Sequence, residues 1–488
     1  IATPSRCGRM DQGCAYGQIP VMMTFDGDRL GVAPLRAGGD FFLLVGDLCG
    51  KKDTVRILAD LNASFPFAKN ARDAEVQRCL GAENQRILRT ARAAIEAGDA
   101  EALGALMTEA QAVFDQHLMP VCDELKSPRL HAVLGDPSVA QWAYGGKGVG
   151  SQGDGCVQFI CKSREARGAL AEHLGRSYGM PCFELDIKRP VSIRKAVIPV
   201  AGLGTRMFPY TKAVPKTFLP VVTPEGVAKP VIQVIVEEAF SAGAEEVALV
   251  IQPEDEGRFR SFFRGDCRAE ALDKLPPALR EEAVRVADIG KRLTFIPQEE
   301  AKGFGHAVLL AEKWVGNEPF LLLLGDHLFR SQERRSVARQ VVDMFQDFGD
   351  SQSVVGIYEE QLSRVKHYGT VLGEWVSEET MQVQRLAEKP SEDEAQAYLG
   401  VSKHGRTAYY CVNGVYALKP SVFGVLRQQA AAACGEEVQL TAALDALRQE
   451  EGLKGCVVRG RHFDTGMPAV YAETVGRFAS PEPEDDGK

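Results

Sequence analysis

From Ile193 onward the chain sets short apolar runs against helix-length segments. That alternation points to an α/β sheet covered on both faces. The runs are 194–200, 246–251, 292–297, 320–325, 352–358, 381–387, 409–418 and 454–459, with helices expected over 228–242, 305–314, 333–348, 437–449 and 468–478. Ligands of such sheets bind at the carboxyl ends of strands. The first run, Ala196–Val200, empties into the turn Gly202-Leu203-Gly204-Thr205-Arg206, and a lysine follows in Pro215-Lys216-Thr217-Phe218-Leu219-Pro220. Glycines let backbone N–H groups close around a phosphate chain, and Arg206 and Lys216 add positive charge. No Gly-Lys-Ser/Thr follows, so this is not a Walker loop. A tight strand-to-helix connection would account for the two glycines alone, but not for the arginine and the Pro-Lys segment.

The 488 residues suggest about three domains, or two large ones. At 45% apolar and 25% charged the composition is that of an ordinary globular protein. A formal net charge of −9 argues against a general nucleic-acid or anionic-membrane surface, so an anionic substrate must be held by local positive charge. The 12 cysteines form no CxxC and the 8 histidines no HExxH, which favours reduced thiols and a cytoplasmic location. No apolar run reads as a membrane span and no signal peptide is seen. Self-association is left open. The first residue is Ile, and the expectation is a fragment of a longer protein.

Two halves are legible. Residues 1–188 carry helical periodicity over 84–125, a glycine-dense segment at 145–155, a strand Cys156–Cys161, a helix Arg164–Gly175 and a strand Cys182–Ile187. Residues 189–192 read as a linker and 193–480 as the α/β domain, with a charged helical insertion over 254–291. The tail 481–488 is expected to be disordered.

Several polar residues fall at the ends of the α/β strands. Asp326 ends the run Phe320–Leu324, where a carboxylate can hold Mg²⁺ over the sheet edge, and Asp464 precedes a helix as a second candidate ligand. Each is equally well explained alone as a helix cap or turn residue, but two on one sheet raise the metal reading for both. Gln298 precedes Ala301-Lys302-Gly303-Phe304-Gly305-His306, and its amide can pair with a donor and an acceptor on a pyrimidine edge. Lys302 is a phosphate candidate or a solvated lysine, and His306 is placed in the first turn of a helix rather than in acid–base work. Glu388-Lys389-Pro390 ends a strand, so Lys389 can neutralise a phosphate and Glu388 accept hydroxyls. Asn413-Gly414 lies within a strand, where a glycine often marks close ligand approach. Glu437 starts a helix, where the helix dipole alone would explain an acid.

Together these blocks resemble the bacterial-type UTP–glucose-1-phosphate uridylyltransferases over about residues 193–478, in the family's order. AGLGTRMFP, AVPKTFLP, QEEAKGFGHAVL, LGDHL, HYGTV, AEKP, NGVY, GEEVQLT and DTG all have counterparts there. The resemblance implies a Rossmann-like α/β fold, a mixed sheet flanked by helices, and Mg²⁺-dependent nucleotidyl transfer from UTP to a sugar 1-phosphate. It implies that Ala201, Gly202, Gly204, Thr205, Arg206 and Lys302 hold the nucleotide, and that Gln298 and Gly303 read uracil. Lys216, Arg206 and Lys389 supply catalytic charge, and Asp326 and Asp464 hold Mg²⁺. Gly369, Glu388, Lys389, Asn413 and Glu437 hold the sugar phosphate. Leu324-Gly325-Asp326 and Asp464-Thr465-Gly466-Met467 depart from that family towards the thymidylyltransferases, so dTTP or a broader sugar range is the alternative. A non-catalytic sugar-nucleotide-binding regulator is the alternative of another class, opposed by the presence of every charged candidate.

Residues 4–12, PSRCGRMDQ, resemble the catalytic segment of GHMP-type sugar kinases, with Asp11 as the carboxylate acting on the phosphorylated hydroxyl. GGKGVGSQGDG at 145–155 resembles that superfamily's C-terminal glycine motif. The expectation is a truncated α+β kinase-like domain whose ATP loop lies upstream of Ile1, without kinase activity of its own.

Overall fold

The computed structural model describes residues 20–26, 29–150, 152–265, 274–348, 352–433 and 435–480. Asp11 and the tail 481–488 lie outside them. The chain divides into two compact units, Ile1–Pro190 and Val191–Lys488. Among the described residues no helix is long and apolar enough to cross a membrane.

The first unit contains a four-stranded antiparallel sheet in the order Ala143–Gly148, Cys156–Cys161, Phe41–Asp47, Cys182–Ile187. The periodic stretch over 84–125 is two helices, Asn84–Ala97 and Ala100–His117, followed by short 3₁₀ turns. Gly98, at φ 75°, closes the first helix in the left-handed conformation, and the Asp99 carboxylate caps the second by accepting from the Ala102 N–H. The glycine-dense segment begins as a strand rather than a loop. A Cβ on Gly145 would stand 2.0 Å from the Gly104 carbonyl oxygen, so these glycines let a strand lie directly on the helix Ala100–His117. The central strand Phe41–Asp47 was not anticipated, although Phe41–Val45 is a continuous apolar run like those of the second unit.

In the second unit the main sheet runs, edge to edge, Leu293–Pro297, Glu246–Ile251, Lys195–Pro199, Phe320–Leu323, Arg406–Leu418, Ser353–Glu360, Leu453–Val457, Thr380–Ala387 and Thr370–Trp375, with Val401–Lys403 paired to Arg406–Leu418. The first four strands are mutually parallel and the remainder is mixed. Side chains alternate across the pleat. Ala196 and Ile198 enter one core with the helices Val231–Ser241 and Val337–Asp347. Val197 enters the other, with Phe304–Leu310, Ser421–Ala432 and Leu440–Glu451. Both faces are therefore covered, as the apolar runs required.

Strand order fixes where a ligand can bind. From Lys195–Pro199 the chain adds the next two strands on one side, then places Phe320–Leu323 on the other. That reversal opens a crevice beyond the carboxyl ends of these two central strands.

Several boundaries differ from the sequence reading. The strand over 320–325 stops at Leu323, because the chain must turn at Gly325, whose Cβ would stand 2.5 Å from Val200 Cγ1. Residues 228–230 form a small ladder with 220–222 before the helix begins at Val231. The helix expected from 437 begins at Leu440, so Glu437 is outside its first turn and the dipole explanation for that acid does not apply. Ladders at His327–Ser331 with Gly460–Asp464 were not foreseen, since neither segment alternates cleanly.

The charged insertion docks through a buried lysine. Lys229, 7% exposed, places Nζ 2.8 Å from Glu237 Oε1 and 2.7 Å from Glu282 Oε1, tying the helix Pro277–Lys291 to Val231–Ser241. Burial opposes the ammonium charge, but the two carboxylates outweigh it and raise the lysine's pKa. Lys229→Met leaves two partly buried carboxylates facing each other. The expected cost is about 3 kcal/mol, read as an earlier urea transition of the full chain. An unshifted transition would show that the cluster is solvated enough to do without the lysine.

Candidate active site

The crevice is a cavity of about 580 Å³ lined by the turns that follow the central strands. It gathers Ala201, Gly202, Gly204, Thr205, Arg206, Lys216, Gln298, Gly303, Asp326, Gly369, Glu388, Lys389, Glu437 and Asp464. Two of the expected residues are not on its wall. Lys302 is exposed and ion-paired with Glu300, and its backbone carbonyl instead takes the Val438 N–H at 2.9 Å. Asn413 is fully buried. Its Oδ1 accepts from the Val415 N–H at 3.0 Å, and its amide packs where a Cβ on Gly356 would stand, 2.4 Å from Oδ1. This places Asn413 beside a bulge in the neighbouring strand, off the cavity wall.

The glycine turn has a specific geometry. Gly204 sits at φ 64°, and a Cβ there would meet Thr211 Cγ2 at 2.7 Å, whereas a Cβ on Gly202 would meet nothing within 4 Å. Gly204 therefore serves the turn, and Gly202 leaves the backbone open to the cavity. Arg206 is exposed beside it, without an ion-pair partner among the described residues.

Asp326 and Asp464 are brought together by the small ladder, in which His327 opposes Asp464. The Thr465 N–H and hydroxyl both donate to the Asp326 carbonyl, at 2.9 and 2.8 Å. Both carboxylates converge on Gly466. A Cβ at that position would stand 3.0 Å from Asp464 Oδ1 and 3.2 Å from Asp326 Oδ2. Glycine keeps the space beside the two carboxylates clear, and two hard oxygen donors flanking one residue suit a divalent cation such as Mg²⁺. Among the described residues no cluster of three His, Cys, Asp or Glu forms a closed cage.

Lys216 Nζ lies 2.5 Å from Asp326 Oδ2. Burial pushes the Asp326 carboxyl up, but the Lys216 and His327 charges and the Lys216 hydrogen bond prevail and hold it well below the usual carboxylate range. Asp326 is therefore ionised across the physiological range.

The opposite wall is built around Glu388. Its Oε2 accepts from the Thr441 hydroxyl at 2.5 Å, and its Oε1 lies 2.8 Å from Lys389 Nζ. Gly369 faces this pair; its Cβ would be 3.7 Å from Glu388 Oε2 and 3.8 Å from Thr441 Oγ1. Lys389 itself is held at φ 44°, in the left-handed region, a strain of about 1 kcal/mol kept where a side chain must be aimed. Thr441 is the residue sequence reasoning missed. It lies within GEEVQLT, but nothing in that string reveals a partner in a distant strand end.

On the third wall Gln298, 8% exposed, has its backbone fixed by the Ile251 carbonyl at 2.8 Å. Gly303, at φ 97°, would clash with the Val438 carbonyl if it bore a Cβ, at 2.8 Å. Glu437 sits beside it on the cavity wall.

Residues 195–477 match the family model described as nucleotidyl transferase. The UTP–glucose-1-phosphate uridylyltransferase of Staphylococcus epidermidis (strain RP62A) is 31% identical over 293 residues, spanning 60% of this chain and 94% of that protein. The UTP–glucose-1-phosphate uridylyltransferase YngB of Bacillus subtilis (strain 168) is 36% identical over 276 residues, 56% of this chain and 85% of that protein. A crystal structure of apo UDP-glucose pyrophosphorylase aligns at 31% identity with a TM-score of 0.50, covering 59% of this chain and 98% of that one.

Proposed function

The chain belongs to the nucleotidyl transferase family, and we infer from this and from the cavity that it transfers a uridylyl group from UTP to glucose 1-phosphate, giving UDP-glucose and pyrophosphate. The observation that carries the chemistry is the meeting of Asp326 and Asp464 over Gly466, beside Lys216 and the glycine turn.

An oxygen of the sugar phosphate attacks the α-phosphorus of UTP. The new P–O bond forms as the bond to the β-phosphate oxygen breaks, and the electron pair leaves on pyrophosphate. The open backbone at Gly202, with Thr205 and Arg206, grips the triphosphate. Lys216 would balance charge at the α-phosphate. Asp326 and Asp464 would hold Mg²⁺, which when bound offsets the charge building on the leaving group. Lys389 takes the sugar phosphate. Glu388, fixed by Thr441 and Lys389 together, offers its remaining lone pairs to sugar hydroxyls. Gly369 and Glu437 complete that wall. Positioning and electrostatics thus account for the reaction without a covalent intermediate.

A pyrophosphate-release screen tests this, with UTP, dTTP, GTP, CTP and ATP each crossed against a panel of sugar 1-phosphates. UTP with glucose 1-phosphate is expected to give the highest rate and dTTP a lower one. A highest rate with GTP or ATP would overturn the assignment.

For residues 1–188 the sugar-kinase reading stands as a proposal supported by the two motif resemblances. Its carboxylate candidate Asp11 lies outside the described residues, and the glycines of Ala143–Gly148 have a packing role of their own.

A further inference from the structure

Gln298 offers an amide to the cavity, and an amide can present either an acceptor or a pair of donors. Which end faces a base depends on what engages the other end. The Gln298 Nε2 lies 3.4 Å from the Gly303 carbonyl and 3.1 Å from His306 Nδ1. A carbonyl can only accept, so Nε2 must point towards it. The same NH₂ group has only donors to offer His306, so Nδ1 must be an unprotonated acceptor and the ring must carry its hydrogen on Nε2. Both amide hydrogens are thereby turned away from the base site. Among the described residues no protein group donates to Gln298 Oε1, and Gln298 lines the cavity.

His306 itself does not line the cavity. It is half-buried in the first turn of the helix Phe304–Leu310. Burial and the nearby Lys302 charge push its pKa down, against a smaller opposing pull from Glu300, which keeps the ring neutral.

We propose that His306 is a positioning residue for base selection: by accepting from the Gln298 amide it locks Oε1 outward as a hydrogen-bond acceptor for the base edge. This rests on the uridylyltransferase reading and adds to it the atom that selects. Uracil carries a donor at N3, which an outward acceptor satisfies. Cytosine carries a lone pair at N3, which the same acceptor repels, so discrimination comes from repulsion as much as from attraction. Thymine has the same N3–H as uracil, so His306 has no part in telling UTP from dTTP. Without His306 only the long 3.4 Å contact to the Gly303 carbonyl holds the amide, which can then turn over and offer its donors to cytosine.

The test compares kcat/KM for UTP, CTP and dTTP in the full chain, its His306→Leu variant and its His306→Asn variant. In His306→Leu the UTP/CTP ratio is expected to fall about tenfold, with the UTP/dTTP ratio and the KM for glucose 1-phosphate unchanged. His306→Asn returns an acceptor near the Nδ1 position and is expected to restore the UTP/CTP ratio. Nitrogen-15 NMR of histidine-labelled wild-type protein supplies a readout independent of variant folding, with His306 expected as the Nε2–H tautomer. An Nδ1–H tautomer, an unchanged UTP/CTP ratio in His306→Leu, an equal fall in both ratios, or failure of His306→Asn to restore selectivity would each overturn the proposal. A wild-type enzyme that does not prefer UTP would instead refute the functional reading beneath it.

Discussion

Asp326→Asn and Asp464→Asn will each lower turnover about a thousandfold, ~4 kcal/mol of transition-state stabilisation, while the protein remains folded. The loss follows from removing one of two carboxylate charges that converge at Gly466. Charge develops on the leaving pyrophosphate, so the effect belongs in kcat more than in the affinity for either substrate. The fold should survive for a separate reason in each case. In Asp326→Asn the freed Lys216 is 23% exposed and can return to water. In Asp464→Asn the new side chain still presents an oxygen to the Gly466 N–H, which Asp464 Oδ1 now accepts at 2.6 Å. Steady-state rates across a Mg²⁺ titration, with a thermal melt of each variant, decide the matter. Near-normal turnover with an unchanged Mg²⁺ dependence would remove that residue from the metal site.

Lys389→Ala will raise the KM for sugar 1-phosphate about thirtyfold, and Arg206→Ala will chiefly damage the use of UTP. The first magnitude is that of one charge-assisted hydrogen bond to a phosphate, about 2 kcal/mol. The two cations sit on different walls of the cavity. Arg206 follows the glycine turn, while Lys389 stands beside Glu388 and aims from a strained backbone. Each is therefore expected to meet a different phosphate. Separate titrations of the two substrates distinguish them, and the reverse pattern of KM changes would exchange their assignments. Lys389→Ala also releases one oxygen of Glu388, so its effect should extend to the sugar hydroxyls and appear as weakened discrimination between sugars.

Most of the α/β strands were legible because a strand covered on both faces must be apolar throughout, and a run such as Phe320–Leu323 has few other uses. Strands that are half-covered or interrupted left no such trace. Thr370–Trp375 carries a glycine and an acid, and His327–Ser331 is mixed. The site was legible where glycines and charges are concentrated in one short segment, as in 202–206 or 388–390. It was not legible where a role depends on two distant segments meeting. Thr441 was passed over for that reason, and Asn413 was placed at the sugar although it is buried within the sheet beside Gly356, off the cavity wall.

The sequence by itself determined that residues 193–480 build a two-faced α/β sheet, and that glycines and cations suited to a phosphate stand at its strand ends. Those properties are local: burial demands apolar runs, and close approach to phosphate demands residues without a Cβ. The tertiary structure decided which of these groups share one cavity. Strand order placed the turns after Lys195–Pro199 and Phe320–Leu323 side by side, and the pairing of His327 with Asp464 brought two distant carboxylates to one point. It also decided which way Gln298 faces, because a hydrogen bond takes its direction from a partner that only folding supplies.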